Sequence, residues 1–352
     1  MSSSPLVTVL IPTYNAENTI DEALDSILHQ AYTSLEVVII DDFSTDSTIK
    51  KVQHYAKKHT ELTIHIIEKK ENKGPAHSRN IGINEAKGKY IALLDSDDYF
   101  APEKIKKQVS FLELHPEYMG CATFLQCFGL QQNIVKSELN PEKLKDILLI
   151  GMPYLHASFM FRKDFIIQKQ LFYNEDFRTA EDYEWSIRLF DAGAKIINIP
   201  EALYYYRISG NQESFTKDKN GVTQKNEKQW KVSKKLHYQL WSRFMPVGHP
   251  LYQENCVELF LRHCEIQDTK MLKVYQDWYK KLCIYNTEHN YFSPLFMKDN
   301  HDYIIQRFIL GNTQFSPQLL LIYLKNMNNV VFPSFVAQLK FVIKCVIGFK
   351  YM

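Results

Sequence analysis

Asp95-Ser96-Asp97-Asp98 closes an apolar run at residues 89–94. Side chains two apart on an extended segment point the same way. Asp95 and Asp97 are therefore placed to address one ligand together. A hard divalent cation takes oxygen ligands, and Mg²⁺ typically uses one or two carboxylates and completes its shell with substrate phosphates. Mn²⁺ shares the oxygen preference. Such a cation can join a protein to a diphosphate and neutralise charge as that group leaves. The competing reading is an acidic turn ahead of a helix that starts near Pro102. A second acidic pair, Asp41-Asp42, ends another apolar run and favours the first reading.

The elements that must position these groups alternate. Residues 6–11 read as a buried strand ended by Pro12, and residues 35–40 as a second buried strand. Helical spacing covers 18–30, and Ser44 or Thr45 caps a helix running to about Lys58. A third strand covers 62–67. Residues 75–86 form a helix with Pro75 in its first turn and Gly88 just past its end. Residues 89–94 form the fourth strand, and 102–115 the next helix. Strands separated by helices predict parallel βαβ units, and continuous apolar strands predict a sheet covered on both faces. Ligands of such sheets bind beyond the carboxyl ends of the strands. Thr13-Tyr14-Asn15, Asp41-Asp42 and 95–98 all lie at such ends.

The middle region is less regular. Strands are expected at 119–128, 157–161, 196–199 and 203–207, and a helix at 181–191. From about Val222 helical patterning dominates. The expected division is a catalytic domain over 1–215 and a helical region over 216–352, with 217–221 as a linker or exposed loop.

Composition narrows the class. The chain has 352 residues, 45% of them hydrophobic, enough for a sizeable core. The net charge of +2 gives no bulk electrostatic case for nucleic acid. The cysteines form no CxxC pair or zinc spacing, and scattered thiols fit a reducing compartment. The apolar run at 6–11 is too short for a signal-peptide core. The expected location is the cytoplasm, or the inner face of the cell membrane. Aromatics of the later half (Tyr204, Tyr205, Tyr206, Trp230, Trp241, Trp278) could form a ligand platform or ordinary core.

Five segments in order resemble the family 2 glycosyltransferases. They are Val9-Leu10-Ile11-Pro12-Thr13-Tyr14-Asn15, then Val38-Ile39-Ile40-Asp41-Asp42-Phe43-Ser44-Thr45-Asp46. Asn72-Lys73-Gly74-Pro75-Ala76-His77-Ser78-Arg79-Asn80-Ile81-Gly82 follows, then Leu93-Leu94-Asp95-Ser96-Asp97-Asp98 and Glu181-Asp182-Tyr183-Glu184-Trp185. The resemblance covers residues 5–210 and implies a GT-A-type fold, a Rossmann-like, mostly parallel α/β sheet with flanking helices. It implies that Pro12, Thr13 and Tyr14 line a nucleotide pocket and that Asp42 accepts a hydrogen bond from the base, commonly uracil. Arg79 would lie near the ribose or diphosphate. Asp95 and Ser96 would face the nucleotide sugar, and Asp97, in the DxD motif, would hold the metal. Asp182 would be the general base. His156 matches a polar position before a strand beneath the active site, placed to touch the diphosphate or the acceptor.

Elementary chemistry is compatible with these roles and with blander ones. A uracil ring N–H needs an acceptor, yet Asp42 could equally cap a helix. The Arg79 fork matches phosphate geometry, or sits on a solvated helix face. Acidic residues at a helix start are expected from the dipole alone, so choosing Asp182 over Glu181 follows the resemblance. A satisfied structural histidine accounts for His156 as well.

The resulting expectation is an inverting transferase. It would move sugar from a nucleotide-diphosphate donor, a UDP-hexose or UDP-N-acetylhexosamine, to a glycan or lipid-linked glycan, with Mn²⁺ or Mg²⁺ as cofactor. Polysaccharide, lipopolysaccharide or capsule synthesis would use such an enzyme. A nucleotidyltransferase is the alternative enzyme, though no glycine-rich, lysine-bearing phosphate loop follows Ile11. A non-catalytic sugar-nucleotide-binding scaffold is the alternative from another class. Residues 331–350 read as an amphipathic helix starting near Pro333 and Ser334, with Leu339, Val342, Ile343, Val346 and Ile347 opposite Lys340 and Lys344. That pattern suits a membrane surface or packing against protein.

Overall fold

The computed structural model describes residues 4–209, 215–217, 223–311, 317–327, 330–332 and 334–347. The chain forms two compact units, Met1–Ser233 and Lys234–Met352.

The first unit opens with β1 (Val7–Thr13), α1 (Ile20–Leu28), β2 (Leu35–Asp41), α2 (Thr48–Lys58), β3 (Thr63–Glu68), α3 (Pro75–Glu85) and β4 (Tyr90–Leu93). β5 (Tyr99–Phe100), α4 (Lys104–Leu114), β6 (Gly120–Gly129), β7 (Ile134–Val135) and α5 (Pro141–Ile147) follow. Then come β8 (Met160–Arg162), α6 (Lys163–Lys169), α7 (Glu181–Asp191), β9 (Ile196–Ile208), and a small antiparallel pair, β10 (Phe215–Lys217) and β11 (Thr223–Lys225). The main sheet runs β3-β2-β1-β4-β8-β6-β9-β5, with β7 on β6. The first four strands are parallel, and β8 enters antiparallel to both β4 and β6. β6 and β9 are parallel partners.

Alternation along β1 sorts side chains onto two cores. Val7, Val9 and Ile11 pack with Ile20, Leu24 and Ile27 of α1 and Val52 of α2. Leu10, Val38 and Ile40 pack on the other face with Ala76 and Ile83 of α3 and Trp185 and Leu189 of α7. Fully burying each such large side chain stabilises the fold by about 1.5–3 kcal/mol. The α/β class and covered sheet expected from the sequence are present.

Several local expectations are corrected. Pro12 does not end β1, which continues to Thr13. The ladder to β4 stops where the Leu94 N–H donates to the Leu10 carbonyl, so the missing Pro12 N–H breaks no bond. Ser44 and Thr45 do not cap α2, which starts at Thr48; they fasten to Asn15 instead. The two strands expected at 196–199 and 203–207 are one, β9. Trp241 and Trp278 are buried, so ordinary packing accounts for them.

The second unit takes in most of α8 (Glu227–Phe244), then α9 (Glu254–Phe260), α10 (Thr269–His289), α11 (Pro294–Gly311), α12 (Pro317–Lys325) and α13 (Phe335–Ile347). Trp241, Trp278 and Phe260 meet at its centre. Residues 218–221 of the expected linker lie outside the described residues, as do Pro333 and 348–350 of the expected terminal helix.

Gly88 does not close α3 with a left-handed residue, because its φ is not positive. Its reason is space. A Cβ there would meet the Thr8 backbone nitrogen at 2.5 Å and the Tyr90 carbonyl oxygen at 2.7 Å. Backbone cannot yield as a side-chain tip does, so Gly88→Ala should destabilise the fold by about 1–3 kcal/mol. Urea unfolding measures it, and a midpoint equal to wild type would contradict the close-approach account.

Candidate functional site

The loops after β1 and β2 are laced together. Asp42 N–H donates to the Thr13 carbonyl at 2.7 Å. Asn15 N–H donates to Ser44 Oγ at 2.9 Å, and Thr45 N–H to Asn15 Oδ1 at 2.9 Å. Thr13 is buried, Pro12 is partly covered, and Tyr14 is 50% exposed. Asp42 is buried and already employed. Its Oδ1 accepts from Lys69 Nζ at 2.5 Å and Lys73 N–H at 2.8 Å, and its Oδ2 from Gly74 N–H at 2.7 Å. An ionised carboxylate offers about four lone-pair sites, so one remains, on Oδ2. Asp42 thus organises the turn before α3, where Gly74 has φ 86° and Pro75 opens the helix. Lys69 also reaches Ser78 Oγ on α3 at 3.2 Å.

Arg79 follows Ser78 and is buried. Its Nη1 donates to Glu181 Oε1 at 2.7 Å, and its Nη2 lies 3.5 Å from Asp95 Oδ1. The solvated-face reading of Arg79 is therefore excluded. Burial works against its charge, but Glu181 and Asp95 more than offset that, and its proton is held more tightly than usual. This cation joins the end of β4 to the start of α7, elements far apart in sequence. Tyr173 lies under the guanidinium, with the ring centroid 5.6 Å away, and stacks on Trp185 at 4.3 Å. His156 Nε2 pairs with Tyr173 OH at 2.8 Å. Burial first, and Arg79 second, push the His156 pKa well below its usual value, so the imidazole stays neutral.

Asp182 stands beside this pair at the first turn of α7. Burial and then the Glu181 carboxylate raise its pKa to about 6, while Arg79 opposes the rise. Its Oδ1 accepts the Tyr183 N–H at 2.8 Å. Asp97 behaves alike: burial first and Asp95 second raise it to about 6. Asp95 is also raised, by burial, with Arg79 pulling down and Glu181 pushing up. Asp98 serves differently. It is buried, accepts from Tyr204 OH at 2.8 Å and from Arg207 N–H at 2.7 Å, and so ties the acidic segment to β9. Arg207 Nε also donates to the Asp97 carbonyl at 2.7 Å. The Ser96 carbonyl accepts from Thr19 Oγ1 at 2.9 Å, fastening it to the loop before α1.

The structure therefore assembles Arg79, Asp95, Asp182 and His156 as one network, with Asp97 in the field of Asp95. Pro12, Thr13, Tyr14 and Asp42 form a second group at the β1 and β2 ends, joined to the first through α3. Sequence reasoning missed Tyr173 and Arg207, read Tyr204 only as ligand platform or core, and assigned Glu181 no role. Arg207 carried a signal, since it ends the aromatic run 204–206 with a charge.

The carboxylates fit a divalent cation. Asp95 raises the proton affinity of Asp97, which a positive charge held there would relieve. Among the described residues no three His, Cys, Asp or Glu side chains converge to hold a metal. A cation here would draw the rest of its shell from substrate and water.

The glycosyl transferase family 2 model matches residues 8–177. The chain is 34% identical over 225 residues to an uncharacterized glycosyltransferase of Haemophilus influenzae, covering 61% of this chain and 69% of that one. It is 35% identical over 224 residues to the putative glycosyltransferase EpsE of Bacillus subtilis, covering 61% and 79%. In fold it is similar to TarS residues 1–349 of Staphylococcus aureus, crystallised with UDP-GlcNAc, at TM-score 0.55 and 19% identity over 92% of this chain and 89% of that one. These matches agree with the strand-end carboxylates and the order of the five segments: the chain belongs to the family 2 glycosyltransferases.

Proposed function

We propose that the first unit carries out an inverting transfer of a sugar from a nucleoside-diphosphate donor, a UDP-hexose or UDP-N-acetylhexosamine, to a glycan hydroxyl. The observation that carries this is the Arg79 bridge, because it fixes Glu181 and Asp95, the near neighbours of Asp182 and Asp97, on two sides of one buried charge. The UDP-GlcNAc held by TarS supports the donor class.

Asp182 takes the proton from the acceptor hydroxyl. A pKa near 6 leaves it ionised at neutral pH yet basic enough to share that proton in the transition state. The acceptor oxygen then bonds to the anomeric carbon as the bond to the diphosphate breaks. One displacement inverts that centre and needs no enzyme nucleophile. Asp97 would hold the cation, with Asp95 beside it. When bound, Mn²⁺ or Mg²⁺ supplies charge neutralisation for the departing diphosphate. Arg79 lends positive charge on the same side. His156, being neutral, orients Tyr173 and adds no competing charge.

Asp182→Asn should lower kcat by about 10²–10⁴-fold with the fold intact. In wild type kcat/KM should fall as pH drops through about 6, because protonation removes the base. UDP release from a panel of UDP-sugars, with and without glycan acceptors, reads both. Near-wild-type turnover in Asp182→Asn would remove that residue from the mechanism. Chelation should abolish turnover, and added Mn²⁺ or Mg²⁺ should restore it in wild type but not in Asp97→Ala. Full turnover in EDTA would refute the metal role.

Peripheral contact with an anionic membrane surface belongs to the same proposal. Residues 303–352 hold Arg307, Lys325, Lys340, Lys344 and Lys350 and no Asp or Glu. That stretch is +5, which leaves −3 of the chain's +2 for residues 1–302. Tyr323 of α12 packs on Phe341 of α13, while Leu321, Leu324, Leu339, Ile343 and Val346 stay exposed. Apolar stripes beside lysines suit the headgroup boundary of an anionic leaflet. Among the described residues no helix is long and apolar enough to cross a membrane. Co-sedimentation should show binding to vesicles containing phosphatidylserine, weakened by salt and by Ile343→Asp. Wild-type protein that stays in the supernatant would refute the contact.

A further inference from the structure

In the second unit, α9 is closed by a residue that closure alone does not favour. The His263 N–H donates to the Glu258 carbonyl at 2.8 Å, and the Arg262 N–H to the Leu259 carbonyl at 3.0 Å. This pair of bonds needs a left-handed residue just past the cap, a place glycine usually fills. Arg262 fills it here, with φ 59°. That region crowds the Cβ of an L-residue, so the reason for arginine lies in its side chain.

The side chain is firmly held. Its Nε donates to Asn300 Oδ1 at 2.7 Å, and the buried Asn300 spends its Nδ2 on the Phe260 carbonyl at 2.9 Å. Tyr303 covers the guanidinium, its ring centroid 3.8 Å from Cζ. A guanidinium has five N–H donors, and Nε accounts for one. The four on Nη1 and Nη2 meet no acceptor among the described residues, and Arg262 forms no ion pair there. The carboxylates nearest in sequence are already engaged. Glu258 holds Lys234 at 3.0 Å, Glu265 holds Arg307 Nε at 3.1 Å, and Asp302 holds Lys298 at 2.9 Å. Burial pulls the Arg262 pKa down, and the groups opposing it are the phenols of Tyr303 and Tyr275. A charge removed from water is normally paired. Tyr303 is exposed and Arg262 half-buried, so solvent reaches this side.

Tyr275 of α10 supplies the second observation. It is fully buried, and its hydroxyl has no hydrogen-bond partner among the described residues. Buried hydroxyls nearly always have one. Its ring is stacked on His301 of α11, with centroids 5.7 Å apart. Arg262 lowers the proton affinity of this hydroxyl, so the two groups lie in one another's field. A cation without an anion and a donor without an acceptor are both completed by one oxyanion.

We propose that Arg262 and Tyr275 form a phosphate-binding site in the second unit, the two Nη groups and the Tyr275 hydroxyl donating to oxygens of one phosphate group. The planar fork matches two phosphate oxygens. Phosphate has a third for the hydroxyl, where a carboxylate has only two. Asn300 and Tyr303 position the fork. The site does not rest on the transfer chemistry proposed for the first unit. A soluble phosphate ester and a phosphomonoester lipid headgroup offer the same chemistry.

Thermal melts of the full chain without divalent metal, in inorganic phosphate and in chloride at matched ionic strength, test the site. Wild-type Tm should climb and saturate with phosphate, as for any ligand that binds only the folded form. Arg262→Gln should raise the phosphate Kd by about 10-fold or more. Tyr275→Phe removes the hydroxyl alone. Its Tm in chloride should equal or exceed wild type, since no buried donor is left stranded, while its phosphate Kd should rise about 5- to 30-fold. Flotation with phosphatidic acid in phosphatidylcholine vesicles, against phosphatidylcholine alone, separates the sources. Arg262-dependent capture identifies a lipid headgroup, and an Arg262-dependent Tm shift without capture identifies a soluble phosphate. A wild-type Tm indifferent to phosphate, with no Arg262-dependent capture, overturns the site. An unchanged phosphate Kd in Arg262→Gln also overturns it, because the anion would then sit elsewhere. A Tyr275→Phe melt below wild type in chloride overturns the part given to the hydroxyl, since it would already have a protein partner.

Discussion

A buried guanidinium between two carboxylates is the constraint around which the first unit is arranged. Arg79 has Glu181 on one amino group and Asp95 near the other. Removing one partner of such a buried pair typically costs about 3–5 kcal/mol, because the remaining charge is stranded. The pair also fixes geometry that neither helix propensity nor strand pairing can. β4 ends before Asp95, and α7 starts at Glu181. No backbone ladder connects them directly, so the side-chain bridge sets their relation. Asp182 sits one residue beyond the bridge and Asp97 two residues beyond it. Each inherits its placement, and part of its electrostatics, from the bridge.

Asp42 does for the β2 end what Arg79 does for the acidic network. Its carboxylate accepts one ammonium and two backbone N–H groups, and hydrogen bonds to a charged acceptor are the strong ones. It sets the turn that launches α3, and α3 then carries Arg79 inward. One short helix, only eleven residues long, therefore transmits order from the β2 end to the acidic network. Its close approach to β1 is possible because Gly82 lies against Leu10 with no side chain of its own.

The sequence made the strand-end carboxylates legible because periodicity reports which segments are buried, and the ends of buried parallel strands converge. The helix at 181–191 was found to the residue, since its acidic start and apolar spacing agree. What stayed hidden depends on long-range pairing. Nothing local says that Glu181 rather than Asp182 meets Arg79. Nothing local says that Asp98 is consumed by Tyr204 and Arg207, residues more than a hundred positions away. Pro12 misled as a strand terminator because its effect depends on whether a neighbour still pairs at that level. Gly88 misled as a helix cap because the reason for glycine was a crowded backbone, not a φ angle.

The acidic groups show how one physical cause yields different roles. Burial raises the pKa of Asp95, Asp97, Asp98 and Asp182 alike. Their fates diverge by partner. Asp98 receives two protein donors and becomes structural. Asp95 faces a fixed cation in Arg79. Asp97 has no side-chain donor among the described residues, and its proton affinity is what a bound metal would lower. Asp182 has a like charge beside it in Glu181, which keeps it basic, and Arg79 beyond that, which keeps it from becoming too basic. Replacing Glu181 by a neutral residue would remove the repulsion from Asp182 and expose it to more of the Arg79 field. Its pKa would then fall. The Glu181 charge thus matters twice, once for the bridge to Arg79 and once for the proton affinity of Asp182.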